Sequence, residues 1–321
     1  MPRVPSVKTT VPAVSSGRRV GAPSLYSGDR IGPYTLGRRL GRGGGGETFQ
    51  ATRRVGTQEM EVALKVSPLR YEREAKRLND EGRYSTFLTY HGAQNIVKVN
   101  DFGVVDGYAY LEMELIRGAS LRDLLEDANE NKILFTSQFA LTITREICLG
   151  LRSAYNLGVQ NNRTCHHMDV KPDNVLITRD GQVKISDFSI AAMRFVGSKF
   201  ARGIYGTALY MSPEACAMEV EKLDELSDIY SLGVTLFEML EGSPPFTGNY
   251  QQLFRMHREE PFPCGTRGPE LQRLIDCMVA RDRDRRVHNY DLLIHIIDLT
   301  LEELGLTLFP LEHIFSSPVP G

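Results

Sequence analysis

Asp169, Lys171, Asn174 and Asp187 fall within the run from Cys165 to Phe188, which reads CHHMDVKPDNVLITRDGQVKISDF. The Asp180-Gly181 pair is a strong turn signal. Val175-Leu176-Ile177 precedes it and the alternating Val183 and Ile185 follow, which predicts a tight hairpin. The outer ends of such a hairpin meet, with His167, Asp169, Lys171 and Asn174 at one and Asp187 and Phe188 at the other. A hydroxyl that attacks a phosphoryl group needs a carboxylate to orient it and take its proton. A triphosphate needs magnesium held by oxygen ligands and a cation beside the migrating group. Asp169 suits the hydroxyl, Lys171 the charge, and Asn174 and Asp187 the metal. Each residue alone reads better as a polar side chain on a solvated hairpin; the spacing of the set is what points to chemistry.

The remainder of the chain must position these groups. With 321 residues, 41% of them apolar, it can bury two cores. A formal net charge of −2 leaves no basic footprint for nucleic acid. The cysteines Cys148, Cys165, Cys216, Cys264 and Cys277 are odd in number and lack paired spacing, which argues against a disulfide framework and fits a reducing cytoplasm. Cys165, His166 and His167 lack zinc-ligand spacing, and neighbours on an extended chain point to opposite sides. No window reaches the roughly 18 apolar residues of a membrane span, and the start has no signal-peptide core. A protein without a membrane span, acting in the cytoplasm, is expected.

Residues 1–30 are rich in Pro, Ser, Thr, Val and Gly and carry five Lys or Arg against one Asp, the composition of a disordered basic tail. Thr9, Thr10, Ser15 and Ser16 near Arg18 and Arg19 leave a phosphorylated or docking segment as the alternative. From Ile31 the pattern turns strand-like, over Tyr34 to Leu40, Thr48 to Arg54 and Met60 to Val66. Gly41-Arg42-Gly43-Gly44-Gly45-Gly46 forms the first connection. Without a Cβ in the way, such a loop can lay its backbone N–H groups over phosphates. A strand follows it, with Val62-Ala63-Leu64-Lys65 next, whereas a dinucleotide fold requires a helix there.

H-x-D-x-K-P-x-N at His167 to Asn174, followed thirteen residues after Asn174 by Asp187-Phe188, resembles the catalytic loop and metal motif of eukaryotic-type protein kinases. LGRGGGGETFQA through VALK resembles their nucleotide loop, and Gly206-Thr207-Ala208-Leu209-Tyr210-Met211-Ser212-Pro213-Glu214 their substrate platform. The resemblance covers about Tyr34 to Leu301 and looks closest to bacterial serine/threonine kinases. It implies an α+β fold in two lobes. The N-lobe, 31–115, holds a five-stranded antiparallel sheet and one helix; the C-lobe, 116–305, is larger and mainly helical; a tail follows at 306–321. It also implies ATP and Mg2+ as cofactors and protein serine or threonine as substrate.

Carried over residue by residue, Gly41, Gly43 and Gly46 cover the phosphates and Lys65 holds the α and β phosphates. Leu40 and Ala63 cap the adenine, with Thr48 and Leu176 beside it. Met113 guards the back of the pocket, the backbone of Glu114 and Ile116 bonds the adenine, and Ser120 lies near the ribose. Thr207 bonds Asp169 and Lys171, the serine/threonine pattern. Asp228 braces the catalytic loop, and Arg286 pairs with Glu214.

A helix around Tyr71 to Leu78 supplies the glutamate that pairs with Lys65. Glu74 is chosen because Leu78, four residues on, shares its face; Glu81 is the alternative. A surface helix laced with ion pairs is the plain reading of that run.

The chain departs from the family pattern at Gly45, Thr48, Met168, Ser189 and Ser212. Met168 stands where phosphorylation-activated relatives carry arginine, which predicts activity independent of loop phosphorylation. Two other functions stay open. A scaffold without turnover usually loses Lys65, Asp169 or Asp187, and a small-molecule kinase usually lacks the Thr207 to Glu214 platform. The oligomeric state is not legible.

Overall fold

Alternating apolar and polar residues build the first lobe as an antiparallel sheet of six strands. In the computed structural model, which describes residues 25–43, 46–70, 72–188 and 205–315, these are β1 (Arg30–Ile31), β2 (Tyr34–Gly43), β3 (Gly46–Val55), β4 (Gln58–Pro68), β5 (Val99–Val105) and β6 (Tyr108–Glu114), in the order β1-β2-β3-β4-β6-β5. The helix α1 (Glu72–Tyr90) connects β4 to β5. One face of the sheet buries Ile31, Leu36, Phe49, Val62 and Leu64; the other packs Ala63, Val99, Leu111 and Met113 against Ala75 and Leu78 of α1.

Two sequence expectations change here. The sheet has six strands rather than five, because Arg30 and Ile31 pair with Thr35 and Tyr34. Residues 25–29, within the run assigned to the tail from composition, lead into β1 through a turn: the Tyr26 N–H bonds Asp29 Oδ2 at 2.8 Å and the Gly28 N–H bonds the Leu36 carbonyl at 2.7 Å. Residues 1–24 lie outside the described residues.

The second lobe follows the hinge at 115–117. It comprises β7 (Gly118–Ser120), α2 (Leu121–Glu130), α3 (Ser137–Gln160), the hairpin β8 (Val175–Thr178) and β9 (Val183–Ile185), α4 (Tyr205–Ala208), α5 (Pro213–Cys216), α6 (Glu225–Glu241), α7 (Tyr250–Glu259), α8 (Pro269–Met278) and α9 (Tyr290–Glu303). Its core gathers Phe139, Ile143, Ile147 and Leu151 of α3 with the nearly all-round buried α6 and the inner face of α9. Leu311 and Ile314, in the segment after α9, are buried in the same core.

The lobes are joined beyond the hinge. Tyr84 and Leu88, from the second half of α1, belong to the C-lobe core, while Ala75 and Leu78 belong to the sheet. Ile185 of β9 exchanges backbone bonds with the chain before β5: the Val97 N–H donates to the Ile185 carbonyl at 2.9 Å, and the Ile185 N–H to the Asn95 carbonyl at 2.8 Å. α1 is therefore held by both lobes, which fixes any group it presents to the cleft.

Candidate active site

The catalytic hairpin forms as its turn residues dictate, with Val175 opposite Ile185 and Ile177 opposite Val183. The loop before it is braced from below. Asp228, fully buried in the first turn of α6, accepts the His167 N–H on Oδ2 and the Met168 N–H on Oδ1, each at 2.7 Å. Those bonds hold Met168 at φ 62°, a left-handed conformation that costs an L-residue about 1–2 kcal/mol. His167 receives the Asp169 N–H on Nδ1, so its Nε2 carries the proton donated to the Ser186 carbonyl at 2.8 Å. Each end of the hairpin thereby fixes the other.

Four polar side chains converge above this brace. Lys171 Nζ donates to Asp169 Oδ2 at 2.8 Å and to Thr207 Oγ1 at 2.9 Å, and the Thr207 hydroxyl donates to Asp169 Oδ1 at 3.0 Å. Asn174 Nδ2 donates to the Asp169 carbonyl at 2.8 Å and to its Oδ2 at 3.0 Å. Thr207, on α4, comes from 36 residues beyond Lys171. The platform carrying it is tied down by a network that the sequence did not signal. Arg122 of α2 bonds Glu238 Oε1 at 2.8 Å and the Tyr210 hydroxyl, while Tyr210 donates to Glu238 Oε2 at 2.5 Å. Below, Glu214 takes Arg286 at 2.8 Å, Arg283 at 3.0 Å and the Ser227 hydroxyl at 2.7 Å. Arg286 with Glu214 was the pair expected from sequence.

Across the cleft, Lys65 Nζ on β4 sits between Glu81 at 2.9 and 3.1 Å and Asp187 at 2.9 Å. This corrects the sequence choice: the carboxylate of α1 on Lys65 is Glu81, not Glu74. The helix runs for 19 residues from Glu72, and its sheet-facing side continues from Leu78 to Glu81 and Ser85, all buried. The side chain of Glu74 lies outside the described residues.

Burial works against the Lys65 charge, but Asp187 and Glu81 outweigh it and hold the ammonium above its ordinary value. Enclosure likewise opposes the Asp187 charge, which Lys65, Lys171 and His167 keep favoured, so its carboxyl stays below the usual range. Glu81 is pushed by burial up to about 7 against the pull of Lys65. Phe188 is buried behind Asp187, its ring 4.5 Å from His167 and 6.1 Å from Tyr84 of α1.

The remaining candidates line the mouth between the lobes. Ala63 and Met113 face each other across β4 and β6, and with Ile116 and Leu176 they belong to one apolar cluster. Glu114 is anchored at the start of the hinge: its N–H donates to the Lys98 carbonyl at 2.9 Å, and its carboxylate takes Lys184 at 2.7 Å. Leu40 is 40% exposed at the rim.

The glycine hairpin pairs Gly41 with Thr48 and Gly43 with Gly46, while Gly44 and Gly45 lie outside the described residues. Only glycine fits at position 46, where φ is 132° and a Cβ would stand 2.2 Å from the Val66 carbonyl oxygen. Ser120, placed near the ribose from sequence, is engaged as the N-cap of α2, its hydroxyl donating to Asp123 Oδ2 at 2.7 Å. Ser189 and the loop basic residues Arg194, Lys199 and Arg202 lie outside the described residues.

Glu81→Gln should lower turnover at least about tenfold, since it removes the charge that aims Lys65, while Glu74→Gln should leave turnover within about twofold. The initial rate of the unaltered chain should rise with pH through about 7 as Glu81 ionises, and Glu81→Gln should lose that limb. Steady-state rates from pH 5.5 to 8.5 check this; a larger loss in Glu74→Gln would reverse the assignment.

The protein kinase domain family matches residues 34–296, and the chain belongs to that family. It is 33% identical over 260 residues to the serine/threonine-protein kinase PknH of Mycobacterium bovis, covering 79% of this chain and 41% of that protein. It is 34% identical over 278 residues to the probable serine/threonine-protein kinase SCO3848 of Streptomyces coelicolor, covering 81% and 38%. With PknE of Mycobacterium tuberculosis the identity is 30% over 268 residues, covering 81% and 44%. The chain thus spans about two fifths of the length of these relatives. Among the described residues no helix is long and apolar enough to cross a membrane.

Proposed function

We propose that the chain transfers the γ-phosphoryl group of MgATP to serine or threonine hydroxyls of proteins. The observation that carries this is the convergence of Lys171, Thr207 and Asn174 on the Asp169 carboxylate, with Asp187, at the other end of the same hairpin, bonded by Lys65 of the N-lobe.

In this reading Asp169 orients the substrate hydroxyl and accepts its proton as the phosphoryl group moves. Lys171 sits beside the same carboxylate, where it meets charge developing on that group. Thr207 ties both to the platform that receives the peptide. Lys65, aimed by Glu81, holds the α and β phosphates, and the apolar cluster of Ala63, Met113, Ile116 and Leu176 takes the adenine. Asn174 and Asp187 would hold Mg2+. One amide and one carboxylate oxygen fit an ion that takes its other ligands from phosphate and water. Bound there, the ion would neutralise charge on the β and γ phosphates. Most of the rate enhancement is then positioning and charge stabilisation, which is why the set must be complete. The free cysteines suit a reducing cytoplasm.

Labelled ATP with a mixture of peptides, followed by phosphoamino-acid analysis, tests the reading. Label on serine and threonine is expected; label only on tyrosine or on a small molecule overturns it.

Regulation follows from Met168. A cationic side chain at that position would need a phosphorylated loop to neutralise it, an ordering device worth one to three charge-assisted hydrogen bonds, roughly. Met168 offers no charge, and Asp228 fixes the backbone at this point instead. Phosphatase-treated chain, assayed before it can modify itself, should keep its initial rate within about threefold. A many-fold loss restored by rephosphorylation would refute this.

A further inference from the structure

Glycine is out of place in the middle of α1. Gly82 lies in the helix interior, where glycine is disfavoured because it has the most backbone freedom to lose. Its surroundings account for it. A Cβ built there would stand 2.4 Å from Phe102 Cγ, 2.6 Å from its Cβ and 2.7 Å from its Cδ2, well inside the carbon contact distance of roughly 3.5–4.0 Å. Turning the ring does not clear the clash, since the Phe102 Cβ is fixed by the backbone of β5.

Phe102 is also part of the site's frame. It lies opposite Leu111 of β6, and Leu111 lies opposite Lys65 of β4. Directly opposed residues share a face of a sheet, so Phe102, Leu111 and Lys65 make one row across three strands. α1 meets that row at two consecutive residues, Glu81 on Lys65 and Gly82 on Phe102.

We infer that Gly82 is a positioning residue for phosphoryl transfer: by letting α1 seat directly on the Phe102 side chain, it sets the distance at which Glu81 reaches Lys65. The inference rests on the kinase reading above. An added methyl group must lift the helix by about 1 Å. The Lys65 to Glu81 contact of 2.9 Å then opens, leaving Lys65 to Asp187 alone.

Gly82→Ala should therefore lower kcat roughly tenfold to a hundredfold, with a smaller change in KM for ATP. Phe102→Gly, which removes all three clashing atoms, should restore most of the lost kcat in the double variant. Rates are compared below the lowest melting temperature of the set. A crystal structure of Gly82→Ala should show the Lys65 ammonium beyond hydrogen-bond distance of Glu81.

Turnover of Gly82→Ala within about twofold of the unaltered chain overturns the inference. A folded double variant that regains stability but not kcat also overturns it, since that is what mere repacking gives. If Gly82→Ala does not fold at all, the double variant decides by the same criterion. An unaltered chain that transfers no phosphate would sink the kinase reading, while the Lys65 to Glu81 distance in the crystal would still report on Gly82.

Discussion

Asp169→Asn should lower kcat by roughly 10²–10⁴-fold, the usual contribution of a positioned general base, with little change in the KM for ATP. The substitution is chosen because the geometry can survive it. Asp169 Oδ2 receives Lys171 and Asn174, and Oδ1 receives the Thr207 hydroxyl. An amide can turn its oxygen to the first two and its NH2 to Thr207, whose hydroxyl also accepts. Fold, cleft and nucleotide contacts then stay in place, and what disappears is the charge that takes the proton. Steady-state kinetics with a thermal melt check it. A kcat within about threefold of the unaltered chain would remove Asp169 from the proton transfer and leave Lys171 and Thr207 as structural partners.

The parts of the site legible in the sequence are those whose geometry is local. Asp180-Gly181 closes a hairpin whose arms are only four and three residues long, so the approach of the chain before Asp187 to Asn174, where the Ser186 N–H donates to the Asn174 carbonyl at 2.8 Å, follows from turn chemistry. Lys65 was legible for a similar reason, lying on a strand directly after a glycine hairpin. Glu81 was not singled out, because its choice depends on how α1 docks against the sheet. Rules for one helical face admit Glu74 and Glu81 alike through Leu78, and the choice between them depends on tertiary packing, including the seat of Gly82 on Phe102.

The two-residue strand at Arg30–Ile31 is too short for periodicity to register. The clamp of Arg122, Tyr210 and Glu238 draws on three separate elements.

The central claim is tested most directly by single-turnover transfer of labelled γ-phosphate to a serine or threonine peptide, comparing the unaltered chain with Lys65→Met. Methionine keeps much of the aliphatic stem of a side chain that is 9% exposed, so the sheet should stay packed. It deletes the ammonium that Glu81 and Asp187 flank at 2.9 Å. Two carboxylates then face each other without a cation between them, and the α and β phosphates lose their fixed charge. Losing a preorganised electrostatic contact of this kind costs roughly 10²–10³-fold or more in the chemical step. The account predicts transfer to the peptide hydroxyl by the unaltered chain within one turnover, and a Lys65→Met variant that melts normally but transfers at least about a hundredfold more slowly. Near-equal rates, or ATP binding without transfer by the unaltered chain, would contradict it.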